Sequence, residues 1–206
     1  MSTVRVKICG ITRGVDLQAA VAAGTDALGF VFAQRSKRVL EPQQAADLVV
    51  KVPAFISRVG LFMDQDAETV TSILDRVPLN LLQFHGEESG GFCRRFGLPY
   101  IKALSMQADR DVRRVADEYG DAAALLLDSH QPGGVGGTGQ VFDWSAIPEL
   151  PLPIILAGGL TAANVRQAVE QVKPWAVDVS SGVEDAPGCK NAERMREFIS
   201  EAKREY

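Results

Sequence analysis

The sequence predicts a (β/α)₈ TIM barrel, an α/β fold in which eight parallel strands close into one sheet and helices surround it. Short runs rich in Val, Ile, Leu and Phe alternate with longer stretches whose apolar residues recur at helical spacing. Runs that are apolar throughout are typical of strands buried on both faces of a parallel sheet. No Ser-, Pro- or charge-rich linker interrupts the alternation, so we expect a single domain over residues 1–206.

Eight short apolar runs supply the predicted strands in order. They are VRVKIC from Val4, ALGFVF from Ala27, SRVGLFM from Ser57, LLQFHG from Leu81, YIKALSM from Tyr100, AALLLDS from Ala123, PIILAGG from Pro153 and AVDVSSG from Ala176. Eight helices are expected to alternate with these strands. Their apolar periodicity is clearest at residues 17–24, 70–77, 112–119 and 195–202. Gly24 is placed to end one helix, and Pro42 suits the first turn of another.

An open, doubly wound sheet is the competing architecture for an alternating chain. That fold would carry a glycine-rich dinucleotide-binding turn after its first strand. The sequence at that position, CGITRG from Cys9, does not match the pattern. The barrel is therefore favoured.

Composition and charge narrow the class of partner. The chain has 206 residues, 46% of them hydrophobic and 23% charged, with a net charge of −4 and a pI near 5.3. This acidic balance argues against nucleic-acid and membrane partners, whereas backbone N–H groups can still bind a small phosphorylated substrate.

Three scattered cysteines and two histidines give neither a disulfide framework nor zinc-ligand spacing, so we expect no metal and a reducing cytoplasm. The sequence shows no apolar signal region or membrane-length run.

Polar and glycine residues follow six of the eight predicted strands. In a TIM barrel the functional site lies at these carboxyl ends of the strands. The residues are Cys9 and Gly10, the basic loop 35–38, residues 83–86, Asp128 and Ser129, residues 157–159 and residues 178–182. The third and fifth strands end in Phe62-Met63 and Ser105-Met106, which give no comparable signal. Six polar strand ends on one rim predict a single functional site there.

The loops after the last two strands predict a phosphate site. Glycines let backbone N–H groups approach a phosphate, hydroxyls add donors, and barrels often bind phosphate between these two loops. Tight turns that merely need the conformational range of glycine are the alternative explanation. The predicted phosphate-binding residues are Gly158, Gly159, Ser180, Ser181 and Gly182.

Cys9 is the candidate general base. A lone buried cysteine is usually an inert apolar residue, but this one lies at the rim, and Lys7 faces the same side of its strand. A nearby ammonium favours the thiolate form that a base requires. Strand eight adjoins strand one in a closed barrel, so we also expect an ion pair between Lys7 and Asp178, which would weaken the effect of Lys7 on Cys9.

Asp128 is the candidate general acid. It ends the apolar run LLL, where burial is expected to raise the pKa of its carboxyl group. Asp128 and Cys9 lie across the barrel mouth, and one acid and one base flanking a substrate is the arrangement that an isomerase needs. The glycine-rich loop 133–139, including Gly136 and Gly137, is predicted to close over the ligand, the alternative being a flexible connector.

Three further rim residues are candidate ligand contacts. Arg38 is suited to bidentate pairing with a carboxylate, although a solvated surface charge is the usual role of an arginine. Gln83 and His85 share one face of their strand and either bind the ligand or satisfy buried polar groups.

Seven segments, in order along nearly the whole chain, carry a resemblance to a known family. They are KICGIT from Lys7, GFVF followed by SKR from Gly29, QFHG from Gln83, LLLDS from Leu125, GGTG from Gly136, LAGGL from Leu156 and VDVSSGVE from Val177. Together they resemble the phosphoribosylanthranilate isomerases of tryptophan biosynthesis. The segment PGCK from Pro187 is the weakest match.

The resemblance implies an Amadori rearrangement of N-(5-phosphoribosyl)anthranilate without a cofactor. Asp128 would protonate the furanose ring oxygen, and Cys9 would remove the C2′ proton from the resulting Schiff base. Arg38 would meet the anthranilate carboxylate, while the loops after strands seven and eight would hold the phosphate.

Two other functions remain open at this point. A histidine-pathway isomerase performs the same rearrangement, but it would need a second phosphate site after strands three and four and an aspartate in place of Cys9. A non-catalytic barrel that binds a phosphorylated metabolite is the more distant alternative. Either a monomer or a homodimer is compatible with the sequence.

Overall fold

The computed structural model describes residues 4–106, 112–129 and 142–204, and within them eight parallel strands form a closed barrel in chain order. The strands are β1 Arg5–Cys9, β2 Ala27–Val31, β3 Ser57–Phe62, β4 Leu81–Phe84, β5 Tyr100–Ser105, β6 Ala124–Asp128, β7 Ile154–Leu156 and β8 Ala176–Val179. β1 pairs with both β2 and β8, which closes the sheet. The predicted fold class and all eight strands are confirmed.

Helices follow most of the strands. They are α1 Gly14–Ala22, α2 Pro42–Val49, α3 Ala67–Leu74, α4 Gly90–Cys93, α5 Val112–Asp117, α6 Val165–Val172 and α7 Ala192–Lys203. Pro42 occupies the first turn of α2, and Gly24 follows α1 with a φ of 88°, as their positions in the sequence predicted. Between β6 and β7 the described residues contain a 3₁₀ turn, Trp144–Ala146, where an α-helix was expected. None of the described helices is both long and apolar enough to cross a membrane.

The apolar core has two layers separated by the sheet. Inside the barrel, small and medium side chains such as Ala103, Leu126 and Ile155 pack together. Larger side chains, including Phe30 and Phe62, fill the space between the sheet and the helices. Successive residues of a strand therefore point alternately to the barrel interior and to the helices, and both faces are buried. This explains the unbroken apolar runs in the sequence.

The strand register determines which side chains reach the barrel mouth. Residues paired across parallel strands face the same side of the sheet. Cys9 is paired with Gly29, and Asp128 is paired with Ser105. These residues point into the barrel at the carboxyl ends of their strands.

A short antiparallel hairpin follows β8. Its strands are β9 Glu184–Ala186 and β10 Cys189–Lys190. Cys189 lies in β10. Two-residue and three-residue strands are too short to give a period-2 pattern, so the sequence offered no signal for this hairpin.

Candidate active site

One cavity at the carboxyl ends of the strands is lined by eleven of the predicted site residues. They are Cys9, Arg38, Gln83, His85, Asp128, Gly158, Gly159, Asp178, Ser180, Ser181 and Gly182. Gly136 and Gly137, the other two predicted site residues, lie outside the residues that the structure describes. The cavity occupies the functional face of the barrel, where the strand ends predicted it.

Cys9 lies on the β1 side of this cavity and is 5% exposed. A Cβ atom on Gly29 of the next strand would come within 2.8 Å of Cys9 Sγ, so the glycine makes room for the thiol. Burial raises the pKa of Cys9, and the Lys7 ammonium opposes this only in part. Lys7 favours the thiolate, as expected, but desolvation of the buried sulfur outweighs the neighbouring charge. Cys9 is therefore a neutral thiol before substrate binds.

Lys7 and Asp178 form the expected ion pair, with 2.8 Å between Nζ and Oδ1. The two residues are 3% and 9% exposed. Burial alone would lower the pKa of Lys7, but the neighbouring Asp178 and Cys9 outweigh it and the pKa is raised. Lys7 thus remains a fixed cation directly beneath Cys9 on the same strand face.

Asp128 lies at the end of β6, with His85 as a neighbour. His85 Nε2 is 3.6 Å from Asp128 Oδ2, and His85 Nδ1 is 3.0 Å from Gln83 Nε2. Burial lowers the pKa of His85 despite the opposing Asp128 carboxylate, so the ring is neutral at pH 7. With the Gln83 amide donating to Nδ1, the ring proton is on Nε2, which faces Asp128. Gln83 and His85 share the face that was predicted for them.

The glycine and serine loops meet as expected for a phosphate site. Gly158 and Gly159 have φ values of 84° and 64°, which side-chain-bearing residues rarely adopt. Their N–H groups donate no hydrogen bond to any described residue, so they are available to an anion. A Cβ atom on Gly182 would collide with the carbonyl oxygen of Leu160, so glycine there allows the two loops to touch. The glycines are thus required by the turns, and the N–H groups of Gly158 and Gly159 point to no described acceptor.

Arg38 is buried at 8% exposure instead of lying in solvent. Its Nε and Nη2 donate to Glu184 Oε1 and Oε2 at 2.8 and 2.6 Å, which is the bidentate geometry expected, but with an internal carboxylate. That hydrogen-bonded pair raises the pKa of Arg38 further above its ordinary value. Two of the five N–H donors are used in this way, and the Nη1 edge of the guanidinium is left for a second acceptor.

Sequence reasoning missed the apolar wall of the cavity and part of its charge. Leu61 and Met63 line the cavity from the third strand, which had seemed to carry no signal. Counting every second residue along β3 would have placed both inside the barrel. Arg35 and Ser36 also line the cavity, although only Arg38 was singled out from their loop. Within the described ranges, no three His, Cys, Asp or Glu side chains converge as metal ligands.

Comparisons with known proteins agree with this geometry. Residues 6–201 match the family model described as N-(5'phosphoribosyl)anthranilate (PRA) isomerase. An N-(5'-phosphoribosyl)anthranilate isomerase from Thiobacillus denitrificans is 55% identical over 201 residues, covering 97% of this chain and 98% of the relative. The phosphoribosyl anthranilate isomerase structure from Thermotoga maritima superposes with a TM-score of 0.88 at 42% identity, covering 97% of this chain and 98% of that one.

A further solved structure carries a ligand. It is a phosphoribosyl anthranilate isomerase in complex with reduced 1-(o-carboxyphenylamino)-1-deoxyribulose 5-phosphate, with a TM-score of 0.83 at 38% identity and coverage of 97% of this chain and 98% of that one. This chain belongs to the N-(5'-phosphoribosyl)anthranilate isomerase family.

Proposed function

We propose that this protein is an isomerase that converts N-(5-phosphoribosyl)anthranilate into 1-(o-carboxyphenylamino)-1-deoxyribulose 5-phosphate in tryptophan biosynthesis. The observation that carries the proposal is a thiol, Cys9, and a carboxyl group, Asp128, lining one cavity that is also lined by the glycines after β7 and the serines after β8. Family membership supplies the substrate, and the cavity supplies a candidate group for each of the first two proton transfers.

Formation of the enolamine needs one proton donated and one removed, and its conversion to the ketone needs a second pair of proton transfers. Asp128 donates its proton to the furanose oxygen as the C1′–O bond breaks, and the substrate nitrogen supplies the electron pair that forms the Schiff base. Cys9 first loses its own thiol proton to water. As thiolate it then takes the proton from C2′, and the electrons of that C–H bond form the C1′=C2′ double bond of the enolamine. Protonation at C1′ and loss of the hydroxyl proton at C2′ give the ketone. Each positioned acid or base contributes roughly 10²–10⁴-fold to such a step.

The cavity has a separate candidate partner for each of the two anionic groups of the substrate. The N–H groups of Gly158 and Gly159, with the serines after β8, suit the phosphate. The Nη1 edge of Arg38 suits the anthranilate carboxylate. The apolar side chains of Leu61 and Met63 suit the aromatic ring. Loop 133–139 lies outside the residues that the structure describes. We propose that it covers the bound substrate, which would strengthen each of these electrostatic contacts.

We also propose the domain organisation, the cellular location and the quaternary structure of the protein. The described elements form one barrel, which supports a single domain over residues 1–206. We propose a cytoplasmic location, because all three cysteines are free thiols and the cytoplasm keeps thiols reduced. The quaternary structure is proposed to be a monomer or a homodimer, and light scattering on the purified protein distinguishes the two.

The decisive experiment is a fluorescence assay with N-(5-phosphoribosyl)anthranilate generated in the cuvette. The purified protein should remove the substrate faster than it breaks down spontaneously, and chromatography should identify the ketose product. Binding without acceleration would contradict the proposal in favour of a non-catalytic metabolite-binding barrel. Absence of both binding and turnover would mean that the loops hold a different sugar phosphate.

A further inference from the structure

Three buried charged side chains and the half-buried Ser180 form a cluster beside the cavity. The Glu184 cluster consists of Glu184, Arg38, Lys190 and Ser180. Glu184 accepts both hydrogen bonds from Arg38 and a third from Lys190 Nζ at 2.8 Å. Lys190 Nζ also donates to Ser180, to its carbonyl oxygen at 3.0 Å and its Oγ at 3.3 Å. Arg38 is the proposed contact of the carboxylate, and Ser180 belongs to the loop proposed to hold the phosphate.

The charges of this cluster do not cancel. One carboxylate faces two cations, and Glu184 and Lys190 are 8% and 4% exposed. An excess buried charge is costly unless another charge or a ligand compensates it. Arg38 and Ser180 line the cavity, so an anion bound there would supply the missing negative charge.

The β9–β10 hairpin holds Glu184 and Lys190 in place from outside the cavity. The Lys190 backbone N–H donates to Asp16 Oδ2 at 3.0 Å, and the Lys190 carbonyl oxygen accepts from Arg13 Nη2 at 3.2 Å. The N–H of Gly188, in the turn, donates to Glu184 Oε1 at 3.2 Å. Because these bonds fix the hairpin backbone, its two charged side chains have one well-defined direction.

We propose that Glu184 and Lys190 are positioning residues for the two anionic ends of the substrate. Glu184 holds Arg38 by Nε and Nη2 so that the Nη1 edge meets the carboxylate. Lys190 holds Ser180 and places a positive charge behind the phosphate loop. The inference rests on the proposed function for the identity of the whole substrate, but each end can be tested with a fragment.

The test measures the dissociation constants of anthranilate and ribose 5-phosphate by calorimetry, since each fragment carries one anionic end. In Glu184→Gln, loss of a negative charge would by itself tighten the binding of both anions. Positioning predicts the opposite for anthranilate, which should bind about tenfold more weakly, because the amide nitrogen replaces an acceptor for Arg38. Ribose 5-phosphate should bind as tightly as before or more tightly.

Lys190→Met should show the reverse pattern. Ribose 5-phosphate should bind about tenfold more weakly, and anthranilate should change less than about twofold. Lys190→Arg, which keeps the charge, should restore part of the loss. With whole substrate, both variants should raise KM more than they lower kcat. Lys102→Met is the matched control, because Lys102 is equally buried and pairs with Glu88 at 2.8 Å, yet does not line the cavity.

The outcomes separate the two proposals. Tighter binding of both fragments by Glu184→Gln, or equal weakening of both fragments in either variant, would overturn the positioning role. The same losses of affinity in Lys102→Met would also overturn the positioning role, because they would show that loss of any buried ion pair weakens binding through lower stability. A wild-type protein that binds both fragments but isomerises nothing would overturn the proposed function only, and the fragment measurements would still decide the inference.

Discussion

The two sides of the barrel mouth bury their candidate catalytic groups to similar degrees but surround them differently. Cys9, at 5% exposure, lies above the Lys7–Asp178 ion pair and within the field of Lys190. Asp128, at 9% exposure, faces the neutral ring of His85, which is itself fixed by Gln83. The described neighbours of Cys9 are charged, whereas the histidine beside Asp128 is neutral.

This difference matches the opposite duties of the two groups. A base must exist without its proton at the moment of reaction, so cations nearby reduce the cost of a buried thiolate. An acid must arrive with its proton, and a neighbouring cation would favour losing it early. His85 keeps that neutrality because burial lowers its pKa. Burial is therefore common to both sides, and the described neighbours differ: Cys9 lies beside an ion-paired lysine, and Asp128 lies beside a neutral histidine.

The largest expected effect comes from removing either group. Cys9→Ala and Asp128→Ala should each lower kcat by roughly 10²–10⁴-fold while KM changes little, because each loses one proton transfer and no binding contact. Steady-state kinetics with whole substrate measures both constants. Near-normal turnover in either variant would remove that residue from its assigned role.

The charged surroundings of Cys9 can be tested through Lys7. Lys7→Met leaves Asp178 buried without its partner, which should cost about 3–5 kcal/mol in the free energy of unfolding. It also removes the cation that opposes the rise in the pKa of Cys9, so alkylation of Cys9 by iodoacetamide at pH 8 should slow about tenfold. Denaturant unfolding and mass spectrometry of the Cys9 peptide measure the two effects.

Lys102→Met provides the comparison for Lys7→Met. Lys102 and Glu88 are as buried as Lys7 and Asp178 and form an ion pair of the same 2.8 Å length, but they pack outside the barrel sheet near Tyr119. This variant should lose similar stability and leave the alkylation rate of Cys9 unchanged. Slowing of alkylation in both variants would mean that general loosening, and not the Lys7 charge, controls the thiol.

The strand ends were predictable because a parallel barrel places them all on one rim. Residue type and position were enough to bring Cys9 and Asp128 to one cavity. Arg38 shows the limit of this reasoning, because its partner Glu184 is 146 positions away and the hairpin that carries Glu184 has no periodic signal. The pKa of Cys9 shows another limit, since its direction depends on the balance between burial and Lys7, and only the folded structure sets both.

Smaller losses of stability and activity are expected when the space beside Asp128 is filled. Gly158→Ala places a Cβ atom 2.5 Å from Ser129 Oγ and 2.9 Å from Asp128 Oδ1, on a backbone with a φ of 84°. The backbone strain should cost about 1–2 kcal/mol of unfolding free energy, and displacement of Asp128 should lower kcat as well. Thermal unfolding and kinetics together measure the change.

Gly24→Ala separates strain from crowding. Gly24 has a similar φ of 88°, but a Cβ atom there would meet nothing within 4 Å. This variant should lose similar backbone stability and keep its kcat. Equal kcat values in the two variants would show that Asp128 tolerates the contact.

The smallest expected effect is the pH dependence of stability that arises if His85 is neutral in the folded protein. Its folded pKa lies below the ordinary value of 6.5, so the unfolded chain binds the proton more readily. Stability should therefore be complete above about pH 6.5 and should fall as the pH drops below it, by at most about 1.4 kcal/mol per pH unit. His85→Gln should flatten this decline, leaving His130 as the other histidine of the chain. Glu184 also contributes to the pH dependence of stability, because Arg38 and Lys190 outweigh its burial and lower its pKa. The stability that it contributes is lost only below about pH 4.5.

Urea unfolding between pH 7.5 and 5.0 therefore measures the contribution of His85 without that of Glu184. An unchanged decline of stability in His85→Gln would mean that the ring facing Asp128 is not held neutral.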